Sequence, residues 1–262
     1  MLGTSPTPYD LKFTLLGIPV RVHPTFWIVA AIMGWRDNDL PAVAAWIGCV
    51  FVSILVHELG HGLMARRFWG EPRILLYGMG GLCESRGERT RLQRLAVILA
   101  GPGAGFALLG LTLFTSSLAL GLTAGEQAAI LGRLFGLGGD RAAFANAITK
   151  FPSHFLIGVY WNLVFINLMW GLVNLLPIWP LDGGQASQVL LSFADRGMAS
   201  IRVHTLSLLT AGILAVVLLL RGSDWFLTLF FGLFAFINYQ ILQELHRSRA
   251  FGSRADDDWW RS

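Results

Sequence analysis

The chain has few charged residues for its length, and this scarcity restricts the class of protein. Only 14% of its 262 residues are charged, whereas 54% are hydrophobic, and the mean hydropathy is +0.58. Soluble domains carry about 25% charged residues. Several apolar stretches also reach the roughly 20 residues that span the hydrocarbon core of a bilayer. The composition therefore argues against one soluble domain and predicts a multispanning protein embedded in the lipid bilayer.

The chain has only two cysteines. Its N-terminal residues also do not have the pattern of a signal peptide. Cys49 lies inside an apolar run and Cys83 in a charged connection, and the chain has no CxxC pair. This usage predicts neither a disulfide framework nor a thiolate metal site. Residues 1–20 contain no apolar region followed by a small-residue cleavage site, so no removable signal peptide is predicted.

Six apolar segments are predicted to cross the membrane. They cover residues 22–35, 42–65, 92–121, 154–180, 203–220 and 225–243. The first is short for a span, so it must tilt, lie at a thin place or recruit preceding residues. The predicted fold is an all-α polytopic membrane protein. An N-terminal segment, 1–21, precedes an intramembrane core, 22–243, and a tail, 244–262, follows it.

The basic residues are distributed unequally between the two predicted sides of the membrane. Eighteen of the 20 are arginine; 15 fall on the side of the N-terminus and five on the opposite side. Cytoplasmic connections carry an excess of Lys and Arg. Both termini are therefore predicted to be cytoplasmic, in what we expect to be a prokaryotic cell membrane. The basic residues that flank the predicted spans also account for the pI near 9.5. The basic charge therefore does not predict a nucleic-acid partner.

Two connections contain more than turns. Residues 72–82 are apolar, too short to span as a helix, and end in a glycine-rich stretch that includes Gly80 and Gly81. They predict a membrane-associated β-like segment after the second span, formed as a strand pair or a re-entrant loop. Gly80 and Gly81 are candidates for binding a substrate or supporting the site. Residues 125–150 are compatible with an amphipathic helix on the outer surface.

The second predicted span contains the sequence HELGH, from His57 to His61. Two histidines four residues apart lie on one face of a helix and can share one metal ion. Glu58 lies one position from His57, where its carboxylate can take a proton from water at the metal. Ionisable residues inside a lipid-spanning helix normally face a polar cavity or bind something. The alternative is a set of polar residues lining a channel or transporter.

Asp182 is the candidate for the third ligand that a catalytic zinc ion requires. It lies in NLLPIWPLDGG, residues 174–184, where two prolines interrupt the fourth span and two glycines permit a sharp turn. Because the second and fourth spans both run toward the cytoplasm, His57, His61 and Asp182 are expected near the same membrane face. The rival ligand is Glu126, which the charge distribution places on the opposite side.

These paired motifs resemble the site-2 protease family of intramembrane zinc metalloproteases. The resemblance rests on HELGH and NLLPIWPLDGG and covers most of residues 18–243. It implies one zinc ion held by His57, His61 and Asp182, with Glu58 as catalytic base. Asn174 matches a family position that contacts substrate or supports the site. Gly101 and Pro102 match a family Gly-Pro element, although Ala104, Gly105 and Phe106 stand where that element often ends in Asn.

The resemblance implies that the substrates are transmembrane segments of membrane-bound regulatory proteins, cut during signalling. The connection before the fourth span is too short for a PDZ domain and the tail too short for a nucleotide-sensing CBS pair. We therefore expect a separate regulatory partner, the membrane core, or prior trimming of the substrate to control activity. The alternative function is a catalytically silent membrane binding protein or transporter. Asn167 is expected to form a hydrogen bond between helices, and His204 is expected to have no function.

Overall fold

The computed structural model describes residues 5–35, 39–87, 90–195, 197–222 and 225–257. Residues 1–4 of the predicted N-terminal segment and 258–262 of the predicted tail lie outside the described residues, as do Arg36, Arg89 and Arg196. The chain divides into two compact units, Met1–Leu172 and Val173–Ser262.

Among its described residues, the first unit contains a small sheet and six helices. In chain order its elements are β1 (Leu11–Leu15), β2 (Ile18–Val22), α1 (Pro24–Met33), α2 (Leu40–Arg67), β3 (Glu71–Tyr77), β4 (Gly80–Arg86), α3 (Arg91–Leu120), α4 (Ala124–Leu134), α5 (Arg141–Thr149) and α6 (His154–Asn174). The last two residues of α6 belong to the second unit, which continues with α7 (Asp182–Ala194), α8 (Ala199–Leu220) and α9 (Trp225–Asp257).

Five of the described helices are long and apolar enough to cross a membrane: α2, α3, α6, α8 and α9. The first predicted span is only the ten-residue apolar helix α1, because β2 occupies the residues immediately before it. The membrane-protein class and the predominance of helix are confirmed, with five long apolar helices and one short apolar helix among the described residues. The count of six spans is not confirmed. The orientation of the termini remains a prediction.

The predicted fourth span ends earlier than expected. Helix α6 stops at Asn174 rather than at residue 180. Pro177 and Pro180 lack the backbone N–H that a continuing helix needs, and each disfavours helical backbone in the residue before it. Asp182 then begins a separate helix, α7, that the sequence reading did not predict. The proline-containing loop, residues 175–181, therefore separates two helices instead of closing one.

The predicted β-like segment is a strand pair, and it belongs to a larger sheet. The strand order is β1-β2-β3-β4, with β2 and β3 parallel and the other two pairs antiparallel. The hairpin of β1 and β2 was not predicted. Along β2 the buried side chains alternate with more exposed ones, as expected for a strand with one face on a core.

The sheet packs on the helix that carries HELGH. Ile18, Val20 and Val22 of β2 and Ile74 and Leu76 of β3 are almost fully buried. They form a core cluster with α2 side chains, namely Ile54, Leu55 and Leu59. The sheet is consequently held against the part of α2 that contains the candidate site.

The segment predicted to include an amphipathic helix forms two helices, α4 and α5. Their buried side chains, Ile130 and Ala147, pack with Tyr160 and Val164 of α6. A glycine-rich connection separates the helices, with positive φ at residues 136, 138 and 139.

The expected hydrogen bond of Asn167 is present. Its Nδ2 donates to Ser53 Oγ of α2 at 2.9 Å, joining α6 to α2.

Candidate active site

The two histidines of α2 have the spacing of ligands to one zinc ion. His57, Glu58 and His61 are 3%, 4% and 8% exposed. The Nε2 atoms of His57 and His61 lie 3.2 Å apart. Two nitrogens bound tetrahedrally at 2.0 to 2.1 Å from zinc are separated by about 3.3 Å. The observed pair therefore fits a tetrahedral zinc centre without rearrangement of α2.

A contact with α3 determines which nitrogen of His61 is available to a metal. His61 Nδ1 lies 2.8 Å from the carbonyl oxygen of Val97. A carbonyl oxygen only accepts hydrogen bonds, so Nδ1 carries the proton and donates it. The lone pair is then on Nε2, the atom that faces His57. Such outer contacts fix the tautomer and ring orientation of metal-binding histidines.

Two glycines allow α2 and α3 to approach closely enough for this contact. A Cβ atom at Gly101 would lie 2.1 Å from His61 Nε2, and one at Gly60 would lie 2.3 Å from the carbonyl oxygen of Ala100. Small residues permit such close helix packing in membranes. Gly101 and the buried Pro102 belong to the Gly-Pro element recognised in the sequence. This element brings the α3 backbone next to the His61 imidazole.

Strand β4 begins beside the candidate catalytic base. A Cβ atom at Gly81 would lie 2.3 Å from Glu58 Oε1. The neighbouring Gly80 has φ +121°, and a Cβ there would lie 2.9 Å from the Trp170 ring. Both positions therefore require glycine, for space at Gly81 and for backbone conformation and space at Gly80. Their role in binding a substrate or supporting the site stays a prediction.

Tyr77, the residue paired with Gly80 across β3 and β4, lies in the electrostatic field of Glu58. Burial raises the pKa of the Tyr77 phenol, and the negative charge of Glu58 raises it further. Both effects disfavour the charged phenolate. Tyr77 thus remains a neutral hydroxyl at physiological pH.

Asp182 occupies the first position of α7 and is buried, with 7% exposure. Its first helical turn rests directly on the preceding loop, because a Cβ at Gly183 or Gly184 would lie within 2.4 Å of loop backbone atoms. His57, His61 and Asp182 each offer one potential ligand atom. The group could bind one metal ion. Asn174, also buried, is the last residue of α6.

Glu126 has a different role from that of a third ligand. Its carboxylate accepts hydrogen bonds from the Thr123 backbone, Asn146 and Lys150, and the Lys150 ion pair spans 2.7 Å. These contacts, the Lys150 hydrogen bond first, lower the pKa of Glu126 to about 2. The side chain is committed to joining α4 to the end of α5.

His204, for which the sequence predicted no function, is buried in the second unit. His204 of α8 is 6% exposed, and its Nδ1 lies 2.7 Å from Asn238 Oδ1 of α9. The sequence offered one indication of this contact, because His204 and Asn238 are polar residues inside two apolar segments. Their sequence separation concealed the pairing.

The chain is similar to several known proteins. Residues 45–219 match Peptidase family M50. Stage IV sporulation protein FB of Bacillus subtilis (strain 168) is 29% identical over 246 residues, covering 90% of this chain and 71% of that protein. Zinc metalloprotease MJ0392 of Methanocaldococcus jannaschii is 26% identical over 189 residues, covering 70% of this chain. The chain spans only 46% of that relative's length.

The fold also has a solved counterpart. The site-2 protease from Methanocaldococcus jannaschii matches with a TM-score of 0.58 and 24% identity, over 89% of this chain and 95% of that one. At this identity the match supports the fold alone. The family match covers most of the chain and includes HELGH and Asp182. The chain therefore belongs to Peptidase family M50 and is a zinc metalloprotease of the site-2 protease type.

Proposed function

We propose that this protein is an intramembrane endopeptidase that cleaves transmembrane segments of membrane-bound regulatory proteins. The observation that carries the proposal is the buried His57-Glu58-His61 group within a 28-residue apolar helix, α2. A catalytic group at that depth serves substrates that are themselves in the membrane. In this proposal His57, His61 and Asp182 hold one zinc ion.

The residues divide the chemistry of peptide hydrolysis between them. A zinc ion at this site would polarise the scissile carbonyl and lower the pKa of water to about 7. Glu58 accepts the proton of the attacking water and passes it to the leaving amine. Asn174 and the Gly80-Gly81 backbone are proposed to position the substrate beside these groups.

The sheet offers one edge next to Glu58 where an extended substrate can bind. Most of the predicted β-like segment, residues 72–82, is β3, which is hydrogen-bonded to β2 and β4 on its two sides. Only residues 80–82 lie on an edge strand, β4. We therefore assign substrate pairing to β4. Proline at Leu75 or Leu76 would disrupt the sheet itself and would not report on substrate binding.

Addition of a strand at this edge accounts for how a helical segment becomes cleavable. A peptide bond within an α-helix is shielded by its hydrogen-bonded turn. Unwinding exposes backbone N–H and C=O groups that have little access to water, and an edge strand supplies replacement partners. Helix-destabilising residues near the cut should therefore favour cleavage.

That requirement can be measured on a cleaved substrate. Replacing Gly, Pro or Asn near its cut by Leu, with length and insertion unchanged, should slow cleavage about tenfold or more, since one Pro alone disfavours helix by about 3 kcal/mol. A substrate with the same substitutions far from the cut is the control. Equal cleavage of the stiffened and original substrates would contradict β4 pairing as the limiting step.

Co-expression with candidate single-span regulators tests the proposed function directly. A true substrate should shorten within its membrane segment when the wild-type protein is present and remain intact with Glu58→Gln. Cleavage only outside the membrane segment would reject the intramembrane assignment. A zinc-loaded protein that cuts no membrane segment would favour the alternative, a silent binding protein or transporter.

A separate partner is proposed to regulate the enzyme. Identifying a protein whose removal changes the cleavage rate without changing zinc content would support this part of the proposal.

A further inference from the structure

A buried polar cluster in the second unit holds the loop that precedes Asp182. Ser207 Oγ of α8 accepts the backbone N–H of Trp179 at 2.8 Å. Asn238 Nδ2 of α9 donates to the carbonyl oxygen of the same residue at 2.7 Å. Both backbone polar groups of Trp179 are therefore held, each by a different helix. We call the side chains of His204, Ser207 and Asn238 the Trp179 clamp.

The hydrogen-bond pattern assigns a specific task to His204. Asn238 Nδ2 uses its second N–H to reach the carbonyl oxygen of Phe234 at 2.8 Å. The Asn238 amide oxygen consequently faces His204 Nδ1 at 2.7 Å. Because an amide oxygen only accepts, His204 Nδ1–H must donate. His204 thus fixes the orientation in which Asn238 can hold Trp179.

The clamp is buried, so the loss of one member cannot be repaired by water. Ser207 and Asn238 are 0% exposed and His204 is 6% exposed. A buried polar group without a partner is costly. Apolar packing supports the same loop, since Ile178 is fully buried in a cluster with Ala211, Phe231 and Phe234. The loop therefore has one place in which both its polar and apolar groups are satisfied.

The position of this loop determines the position of Asp182. A Cβ at Gly184 would lie 2.4 Å from the Trp179 nitrogen, and one at Gly183 would lie 2.2 Å from the Leu175 carbonyl oxygen. No side chain lies between the loop backbone and these two glycines at the start of α7. A displacement of Trp179 must therefore displace the first turn of α7, where Asp182 is the first residue.

We propose that His204, Ser207 and Asn238 are positioning residues for the zinc site, which act by holding the Asp182 carboxylate where it can bind the metal. The inference rests on the proposed ligand role of Asp182. Outer contacts of metal ligands typically change metal affinity by about 10- to 100-fold when removed. The clamp belongs to this class, although it acts through the loop backbone.

Two substitutions of His204 distinguish positioning from packing. His204→Leu keeps an apolar side chain of similar size but loses the donor to Asn238. His204→Asn is smaller, yet its amide nitrogen can donate from the place of Nδ1. Zinc affinity is measured on purified, folded protein by competition with a chromogenic chelator. We expect about tenfold or greater weakening in the Leu variant and affinity close to wild type in the Asn variant. The reverse order would overturn the proposal and assign His204 to packing.

Ser207→Ala provides a second measurement with a smaller change in volume. It leaves the Trp179 N–H without its acceptor and should also weaken zinc binding by about tenfold. Thr205→Ala is the matched control, because Thr205 is exposed on the same helix and its hydroxyl contacts only its own helix at Ile201. Normal zinc affinity in Ser207→Ala would overturn the clamp even if a His204 variant failed to fold.

Asp182→Asn separates this inference from the proposed function. Retention of zinc by that variant would show that Asp182 is not the third ligand. Loss of zinc from Asp182→Asn together with normal affinity in Ser207→Ala and His204→Leu would keep the ligand assignment and reject only the clamp.

Discussion

Glu58 is a carboxyl group buried within a long apolar helix, between two histidines that face a common point. The amide of glutamine has nearly the same shape but cannot accept a proton. We predict that Glu58→Gln retains bound zinc while cleavage falls by at least about 100-fold, the usual contribution of a positioned base.

The measurement combines metal analysis with cleavage of a transmembrane substrate. Glu71→Gln, at an exposed position on β3, is the matched control and should cleave normally. Proteolysis retained in Glu58→Gln would reject the assigned mechanism.

Three glycines allow the metal site and the catalytic base to be perturbed separately. At Gly101 a methyl group would collide with His61 Nε2, and at Gly81 with Glu58 Oε1, whereas at Gly103 it would meet no atom within 4 Å. We predict that Gly101→Ala weakens zinc binding about tenfold or more. Gly81→Ala should retain zinc but reduce cleavage about 100-fold through the displaced base.

Zinc affinity and cleavage rate, measured on the same preparations, check both outcomes. Gly103→Ala is the control because its side is open, and it should match the wild type in both measurements. Equal zinc affinity in all three variants would mean that α3 does not constrain His61 as the geometry indicates.

At the scale of elements, the ion pair of Glu126 and Lys150 joins α4 to the end of α5. The folded-state pKa of Glu126, about 2, lies below its ordinary value of 4.5. A lowered carboxyl pKa stabilises the fold above the ordinary value, and the contribution is lost as pH falls toward the folded-state value. We predict that Glu126→Gln melts at a lower temperature than the wild type at neutral pH.

The difference in melting temperature should be only a few degrees, because Lys150, the partner of Glu126, is partly exposed to solvent. It should shrink below pH 4.5 and vanish near pH 2. Thermal unfolding of detergent-purified protein measures it, again with Glu71→Gln as control. A difference that does not change with pH would show that the carboxylate charge is not what joins the helices.

The sheet shows how much an element depends on its neighbours. The composition of residues 72–82 predicted a β-like segment, formed as a strand pair or a re-entrant loop. It could not show that β3 is internal, because that depends on β2, whose Val22 pairs with Leu76, 54 positions later in the sequence. The accessible edge, and hence the strand available to a substrate, was decided by this distant pairing.

For the whole molecule, the distribution of arginines predicts the orientation in the membrane. We predict that, in a chain with Cys49→Ala and Cys83→Ser, Arg67→Cys reacts with a membrane-impermeant maleimide only in inside-out vesicles. Leu137→Cys should react only in intact cells. Both positions are exposed, at the end of α2 and in the connection between α4 and α5.

Labelling is compared with that of the detergent-solubilised protein, in which both cysteines should react. The opposite pattern would invert the proposed orientation, and reaction of both from one side would change the number of spans.

The sequence by itself determined the membrane class, the zinc-binding pair and the candidate third ligand. These features depend on short-range patterns: the length of an apolar run, two histidines one helical turn apart, and an aspartate next to two prolines and two glycines. Only the tertiary structure decided the tautomer of His61, the edge position of β4 and the Trp179 clamp. Each of those depends on a contact between distant residues, such as His61 with Val97 or Trp179 with Asn238. Local sequence cannot encode such contacts by spacing, because they exist only when separate elements pack together and bury their polar groups.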